Sequence, residues 1–294
     1  MKRKTRGEAI FGIVNYILMV LFGLTTLLPF LYVLSKSLSS EAAVVSGRVM
    51  FWPVGLQLGT YQYVLDQPEF LNSLGVSVFV TVVGTVFAML LTASVAYPLS
   101  KPEMVGRKPL LLMFIFIMLF NGGIIPNYVL FKTLGLINKV WALILPGMLS
   151  VFNVLLIKTF YEQLPESVEE SARIDGATNL RTLFSIIIPM STPVIATVGL
   201  FYAVGYWNNY FSGVLYITNP QLKPLQQYLY DLVTSTMTNP DPGTVQLDMD
   251  RYMNVTPDSI RSSTIMLATL PILMVYPFLQ RYFVKGINIG SVKG

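Results

Sequence analysis

The 294-residue chain is 53% hydrophobic, only 12% charged and carries a net charge of +5, with a mean hydropathy of +0.61. Soluble domains run near a quarter charged, so this balance excludes an ordinary soluble fold; the dispersed basic residues also exclude a nucleic-acid partner. Cysteine and histidine are both absent, which excludes disulfides, thiol nucleophiles, imidazole bases and the usual zinc ligands, so no cofactor or metal site is expected.

A hydrocarbon core of roughly 30 Å takes about 20 helical residues, and a charge at its centre costs about 2.5–3.5 kcal/mol. Charge-free apolar runs therefore mark crossings. After Lys2, Arg3, Lys4 and Arg6, no charge occurs from Ala9 to Ser35. That run is longer than a signal-peptide core and lacks a clean cleavage site, so a retained first crossing is predicted over 11–35. Further crossings are predicted over 74–99, 109–131, 140–160, 185–210 and 262–283. No charge separates Arg181 from Lys223, but Asn208-Asn209 and Asn219-Pro220 interrupt that stretch. One helix followed by an apolar outer turn or re-entrant piece is expected there. The predicted fold class is all-α, a polytopic membrane protein with six transmembrane helices, forming a single transmembrane domain over 1–294.

Lys and Arg accumulate on the cytoplasmic side of membrane proteins. The N-terminal basic cluster, the 100–108 segment (Lys101, Arg107 and Lys108 against Glu103) and the basic C-terminal end place both termini inside. The outer segments are then 38–73 and 211–261, the latter with five aspartates. The 158–184 segment is acidic on balance yet inside by parity, so its acids need a reason other than topology.

That segment contains Pro165–Pro189, with Glu166, Glu169, Glu170, Asp175, Arg173 and Arg181. Pro165 suits a first helical turn, and Glu166 and Glu169 complement its positive end. Leu164, Val168, Ser171 and Ala172 fall on one face, with Glu166, Glu169, Glu170 and Arg173 around the rest. Gly176 stops the helix in a left-handed conformation. Thr178 or Asn179 caps a second helix running through Leu180, Leu183, Phe184 and Ile187, and Pro189 ends or kinks it as the fifth crossing begins. Ser171, Ala172, Gly176 and Ala177 are small enough to let a partner surface approach closely.

This pattern resembles the EAA coupling loop of ABC importer permeases: Glu-Ala-Ala, three residues, Gly, nine residues, then Ile-x-Leu-Pro. Glu170-Ser171-Ala172, Gly176 and Ile186-Ile187-Ile188-Pro189 keep every spacing, with Ser171 replacing Ala and Ile188 replacing Leu. Asn72-Ser73, Tyr97, Trp207-Asn208 and the 286–294 tail look like the carbohydrate-importer permeases, and the 121–126 and 276–283 stretches narrow this to the oligosaccharide-type branch. The resemblance implies a type I (maltose-type) importer in a bacterial inner or plasma membrane. A second, related permease subunit pairs with such a chain, two copies of an ABC ATPase dock on its cytoplasmic side, and an extracellular or periplasmic solute-binding protein delivers the carbohydrate. It also implies that Glu169, Glu170, Ser171, Ala172, Asp175, Gly176, Ala177 and Pro189 couple to the ATPase. The chain itself has no GxxxxGK[ST] phosphate loop and is expected to be no enzyme, the nucleotide being held by its partner.

Tyr202, Tyr206 and Asn209 are spaced by four and three and share a helical face. With Asn121 and Asn153 they are candidates for the substrate path, since aromatic faces and amides suit sugars. An interfacial aromatic belt and helix–helix hydrogen bonding are the alternatives. An importer of another small solute and an ion-coupled secondary transporter compete with the carbohydrate reading. The latter calls for charged residues at mid-membrane, and the predicted crossings carry none there, Lys158 and Arg281 falling at the ends of theirs.

Overall fold

The structure is a computed structural model that describes residues 6–120, 122–238 and 256–290. Among the described residues the regular structure is all helical. The chain forms two compact units, one from residues 1–68 and 231–270 and the other from 69–230 and 271–294.

In the first unit, α1 (Arg6–Ser37) carries the charge-free N-terminal run. Its Phe11, Tyr16, Phe22 and neighbouring apolar side chains are exposed along its length, as suits a helix surrounded by lipid. Beyond it lie α2 (Glu41–Val45) and α3 (Gly59–Asp66). The loop between them is tied back to the end of α1 by Ser40 N–H to the Val54 carbonyl (2.9 Å) and Gln57 N–H to the Leu38 carbonyl (3.0 Å). Lys36 at the end of α1 pairs with Asp258 at 2.8 Å.

The second unit is built around α4 (Pro68–Ser100). Ser73, Ser77, Val80, Gly84, Ala88, Thr92 and Ala96 recur every three or four residues on its buried side, and all but Val80 are small, which allows helices to approach closely in a membrane. The chain continues as α5 (Arg107–Leu119), α6 (Ile124–Thr133), α7 (Trp141–Ile144) and α8 (Val151–Tyr161). After α9 (Glu166–Ile174), α10 (Asn179–Thr182) leads through a π turn over Leu183–Ile187 to α11 (Ile188–Met190) and α12 (Thr192–Trp207). Leu143, Ile144, Val154, Ile157, Leu183, Ile187 and Val198 join α4 in the core.

The runs predicted as single crossings are more broken than their composition suggests. The 109–131 run divides into α5 and α6 around Gly123, at φ 87°. The 140–160 run bends by 50° between the 3-10 turn after α7 and α8. The 185–210 run bends by 89° between α11 and α12. Pro189 lacks an N–H, the π turn before it widens the ladder, and the bend itself falls at Ser191. Ser191 N–H is shared by the carbonyls of Ile187 and Ile188 at 3.0 and 3.1 Å. Two helices are long and apolar enough to cross a membrane, and the three bent pairs bring the count to as many as five among the described residues. The run predicted over 262–283 lies within α15 (Pro257–Gly290). The apolar stretch after α12 folds as α13 (Phe211–Tyr216), a 3-10 turn and α14 (Leu225–Thr238).

Candidate coupling element and transport hollow

The Pro165–Pro189 segment folds as a helix, a glycine turn and a second helix. Pro165 precedes α9 in extended conformation, and Gly176 closes the helix at φ 78°. Gly176 N–H bonds the Arg173 carbonyl (3.0 Å) and Ala177 N–H the Ala172 carbonyl (2.9 Å), the paired closure that requires a left-handed residue. Thr178 is the cap of α10, its hydroxyl accepting from Arg181 N–H at 3.4 Å.

The faces of α9 differ from the predicted ones. Glu169, grouped with the other acids, is 8% exposed, whereas Ser171, grouped with Leu164, Val168 and Ala172, is exposed. Its hydroxyl turns back to the Ser167 carbonyl at 2.8 Å. The reason is the neighbour: α9 packs beside the end of α4, which offers a phenol and an ammonium rather than apolar surface. Tyr97 OH donates to Glu169 Oε2 at 3.1 Å. Lys101 Nζ pairs with Glu169 Oε1 and lies 5.0 Å from the centre of the Tyr97 ring. One step away, Arg107 bonds the Leu99 carbonyl at 2.9 Å and pairs with Glu162, which also meets Lys158 at 2.8 Å. Lys101, Arg107, Glu162 and Glu169 line a hollow of about 380 Å³.

What α9 leaves outward is acidic and apolar together. Glu166, Glu170, Asp175, Gly176 and Pro189 are exposed, Ala172 is buried and Ala177 half-buried. Ile174 is 87% exposed and Leu180 69%. The sequence reading did not single out Ile174, and it set Leu180 with Leu183 and Ile187, which are buried. An isoleucine immediately before Asp175-Gly176 was the available signal.

A second hollow of about 500 Å³ is lined by Tyr202, Tyr206, Asn209 and Asn153, with Gly147, Ser150, Phe152, Phe201 and Gly205. Four of the five candidate path residues thus come together; Asn121 lies outside the described residues. Tyr202 and Tyr206 are nearly buried and so are not belt residues. The Tyr202 hydroxyl meets Thr92 Oγ1 at 2.6 Å and accepts from Ser150 N–H at 3.0 Å. Tyr206 OH donates to the Ile144 carbonyl at 2.9 Å. Its ring is held where Gly84 and Gly147 leave room: a Cβ on either would come within 2.8 or 3.0 Å of it. Asn209 bonds Ser212 through both ends of its amide, at 2.9 and 3.1 Å, and starts α13. Asn153 is 5% exposed; its backbone N–H reaches the Ser150 hydroxyl, and its side-chain amide makes no hydrogen bond to the described residues. Gly147, Ser150 and Phe152 were not foreseen, because they join the hollow only through the bend before α8.

The model of the family described as binding-protein-dependent transport system inner membrane component matches residues 1–289. The chain belongs to this family. This transport component is 44% identical over 293 residues to Protein LplC of Bacillus subtilis (strain 168), covering 99% of this chain and 97% of that protein. It is 40% identical over 288 residues to the polygalacturonan/rhamnogalacturonan transport system permease protein YtcP of the same organism, covering 97% and 99%. Among solved structures it resembles a chain of a bacterial ABC transporter involved in the import of the acidic polysaccharide alginate, with a TM-score of 0.89, 33% identity and coverage of 96% of this chain and 100% of that one. A transport component of this family is not an enzyme; ATP hydrolysis belongs to a separate subunit.

Proposed function

We propose that the chain is the permease subunit of an ABC importer for carbohydrates, forming half of a gated pathway beside a second, related permease. Six crossings, the sixth by α15, put both termini and the 165–189 element in the cytoplasm. That element docks on the ATPase, and a solute-binding protein delivers the sugar from the other side. The observation that carries this reading is the complete spaced motif folded as a rigid helix–glycine–helix, with Glu170, Ile174, Gly176 and Leu180 turned outward. An acidic and apolar knob fixed to membrane helices suits a groove on a moving partner. The names of the relatives, transporters of polygalacturonan, rhamnogalacturonan and alginate, favour glycans over other solutes.

In the hollow, the two tyrosines are buried and their hydroxyls serve the walls, so a sugar meets the exposed rings of Phe152 and Phe201. The unengaged amide of Asn153 offers both a donor and an acceptor to its hydroxyls. The lining carries no carboxylate or ammonium, which weighs against ion-coupled secondary transport.

The test is reconstitution of the chain with the partner permease, ATPase and binding protein encoded beside it, followed by uptake and ATP hydrolysis across a panel of neutral and acidic oligosaccharides. Stimulation by at least one glycan is expected. Failure of every glycan, with stimulation by another solute class, would overturn the carbohydrate assignment.

A further inference from the structure

We infer that Glu169, Lys101 and Tyr97 form a strut through which movement of α9 enters α4, making Glu169 a positioning residue within the permease and not a contact for the ATPase. The inference rests on the coupling role proposed for α9. Two features separate Glu169 from Glu170, its neighbour in the motif. Both of its oxygens are engaged inside the chain, one by Tyr97 OH and one by Lys101. Its side chain is 11% exposed and that of Lys101 25%, so a partner protein would have to displace a largely buried pair, whose disruption strands a charge. Glu170 is exposed and free of such ties.

The strut reaches an element that α9 does not adjoin in sequence. Along the chain α9 is joined to α8 on one side and to α10 on the other, whereas Lys101 is 68 residues away from Glu169. Tyr97 stands on α4 itself, an unbroken helix of 33 residues. The same helix bears on the transport hollow, through Thr92 against the Tyr202 hydroxyl and Gly84 against the Tyr206 ring. Beyond the hollow, Ser77 Oγ accepts from Leu225 N–H at 2.7 Å, and Asn72 donates to the Gln221 carbonyl at 2.8 Å. From residue 72 to residue 100 a helix at 1.5 Å per residue measures about 42 Å, enough to run the depth of a bilayer. A push on α9 therefore reaches the walls of the hollow and the 221–225 segment by one rigid rod. The bent routes through α8 and α12 each contain a break of 50° or 89° that can flex instead.

Two measurements test this. In the isolated permease in nanodiscs, spin labels at Ser171→Cys on α9 and Leu91→Cys on α4 report the width of their separation. Glu169→Gln and Lys101→Met should each broaden the distribution, and the exchange Glu169→Lys with Lys101→Glu should narrow it again. Unchanged widths in both single variants overturn the strut, whatever the transported solute. In the reconstituted importer, both single variants should keep the ATPase subunit bound while solute moved per ATP falls by about fivefold or more, the scale of a coupling free energy. Loss of the ATPase subunit from Glu169→Gln, as expected for Glu170→Lys, would make Glu169 a docking contact and overturn the inference. A parental complex in which no solute stimulates ATP hydrolysis would instead refute the proposed function and leave the spin-label result to decide the strut.

Discussion

Single positions in this chain carry conformations or contacts that few other residues can supply. Gly176, at φ 78°, has open space where a Cβ would be, so a substitution there is resisted by the backbone alone, at roughly 1–2 kcal/mol for a residue forced left-handed. Gly176→Val should leave the protein inserted at parental abundance and abolish uptake, because the helices on either side of the turn lose their mutual angle; parental uptake would separate the turn from coupling. Tyr206→Phe removes one hydrogen bond to the Ile144 carbonyl, worth roughly 0.5–1.5 kcal/mol, and should lower thermal stability more than it alters affinity. Asn153→Leu should do the reverse, raising KM for uptake while the melting temperature holds, since its amide bonds nothing in the described residues. Equal KM in Asn153→Leu and parent would remove the amide from the path. The sequence made Tyr202 and Tyr206 legible because they sit one turn apart on α12, whereas Asn209, expected on the same helical face, lies just beyond the helix end. The pairing of Glu169 with Lys101 had no such signature: helical periodicity sorts residues by apolarity and assigns an acid to solvent, and the cation that overrides this lies on another element.

Elements were legible as apolar runs, and their breaks were not. Charge-free composition locates α1 and α4 well because nothing within them forces a bend; Pro29 and Pro98 are carried inside continuous helices. The run over 185–210 looks equally continuous, yet a π turn, Ser191 and Pro193 divide it, a local competition among carbonyls that composition does not record. The joint after α13 is another case. Asn138 adopts φ 57°, and its Oδ1 accepts from Thr218 N–H at 2.6 Å, Asn219 N–H at 2.9 Å and Thr218 Oγ1 at 3.0 Å. This one side chain staples the connection before α7 to the chain after α13. Asn138→Gly keeps the backbone freedom and removes only the staple, so it should cost about 1.5 kcal/mol or more, three bonds at roughly 0.5 kcal/mol or above each. Asn138→Ala adds the left-handed penalty and should unfold at a lower temperature than Asn138→Gly in detergent. The opposite order would show that the backbone there relaxes without cost.

For the whole molecule, the acidic 158–184 segment stops being an exception once its partners are known. Lys101 and Arg107, which argue for a cytoplasmic 100–108 segment, are the residues that pair with Glu169 and Glu162. Part of the basic excess on one connection is thus balanced by the acids of the other, and the ion pairs require both connections to lie on the same side. Which side that is rests on the charge distribution of the sequence. The chain has no cysteine, so single introduced thiols report topology without background. Trp52 is 83% exposed and Val105 96% exposed, and Ser167 lies exposed on α9. In intact cells Trp52→Cys should react with an impermeant maleimide, while Val105→Cys and Ser167→Cys should react only after the membrane is opened. Labelling of both 105 and 167 from outside, with 52 protected, would invert the orientation and leave the fold intact. Labelling of one of 105 and 167 but not the other would contradict the ion pairs themselves, because no arrangement that keeps Glu169 on Lys101 can place those two positions on opposite faces of a bilayer.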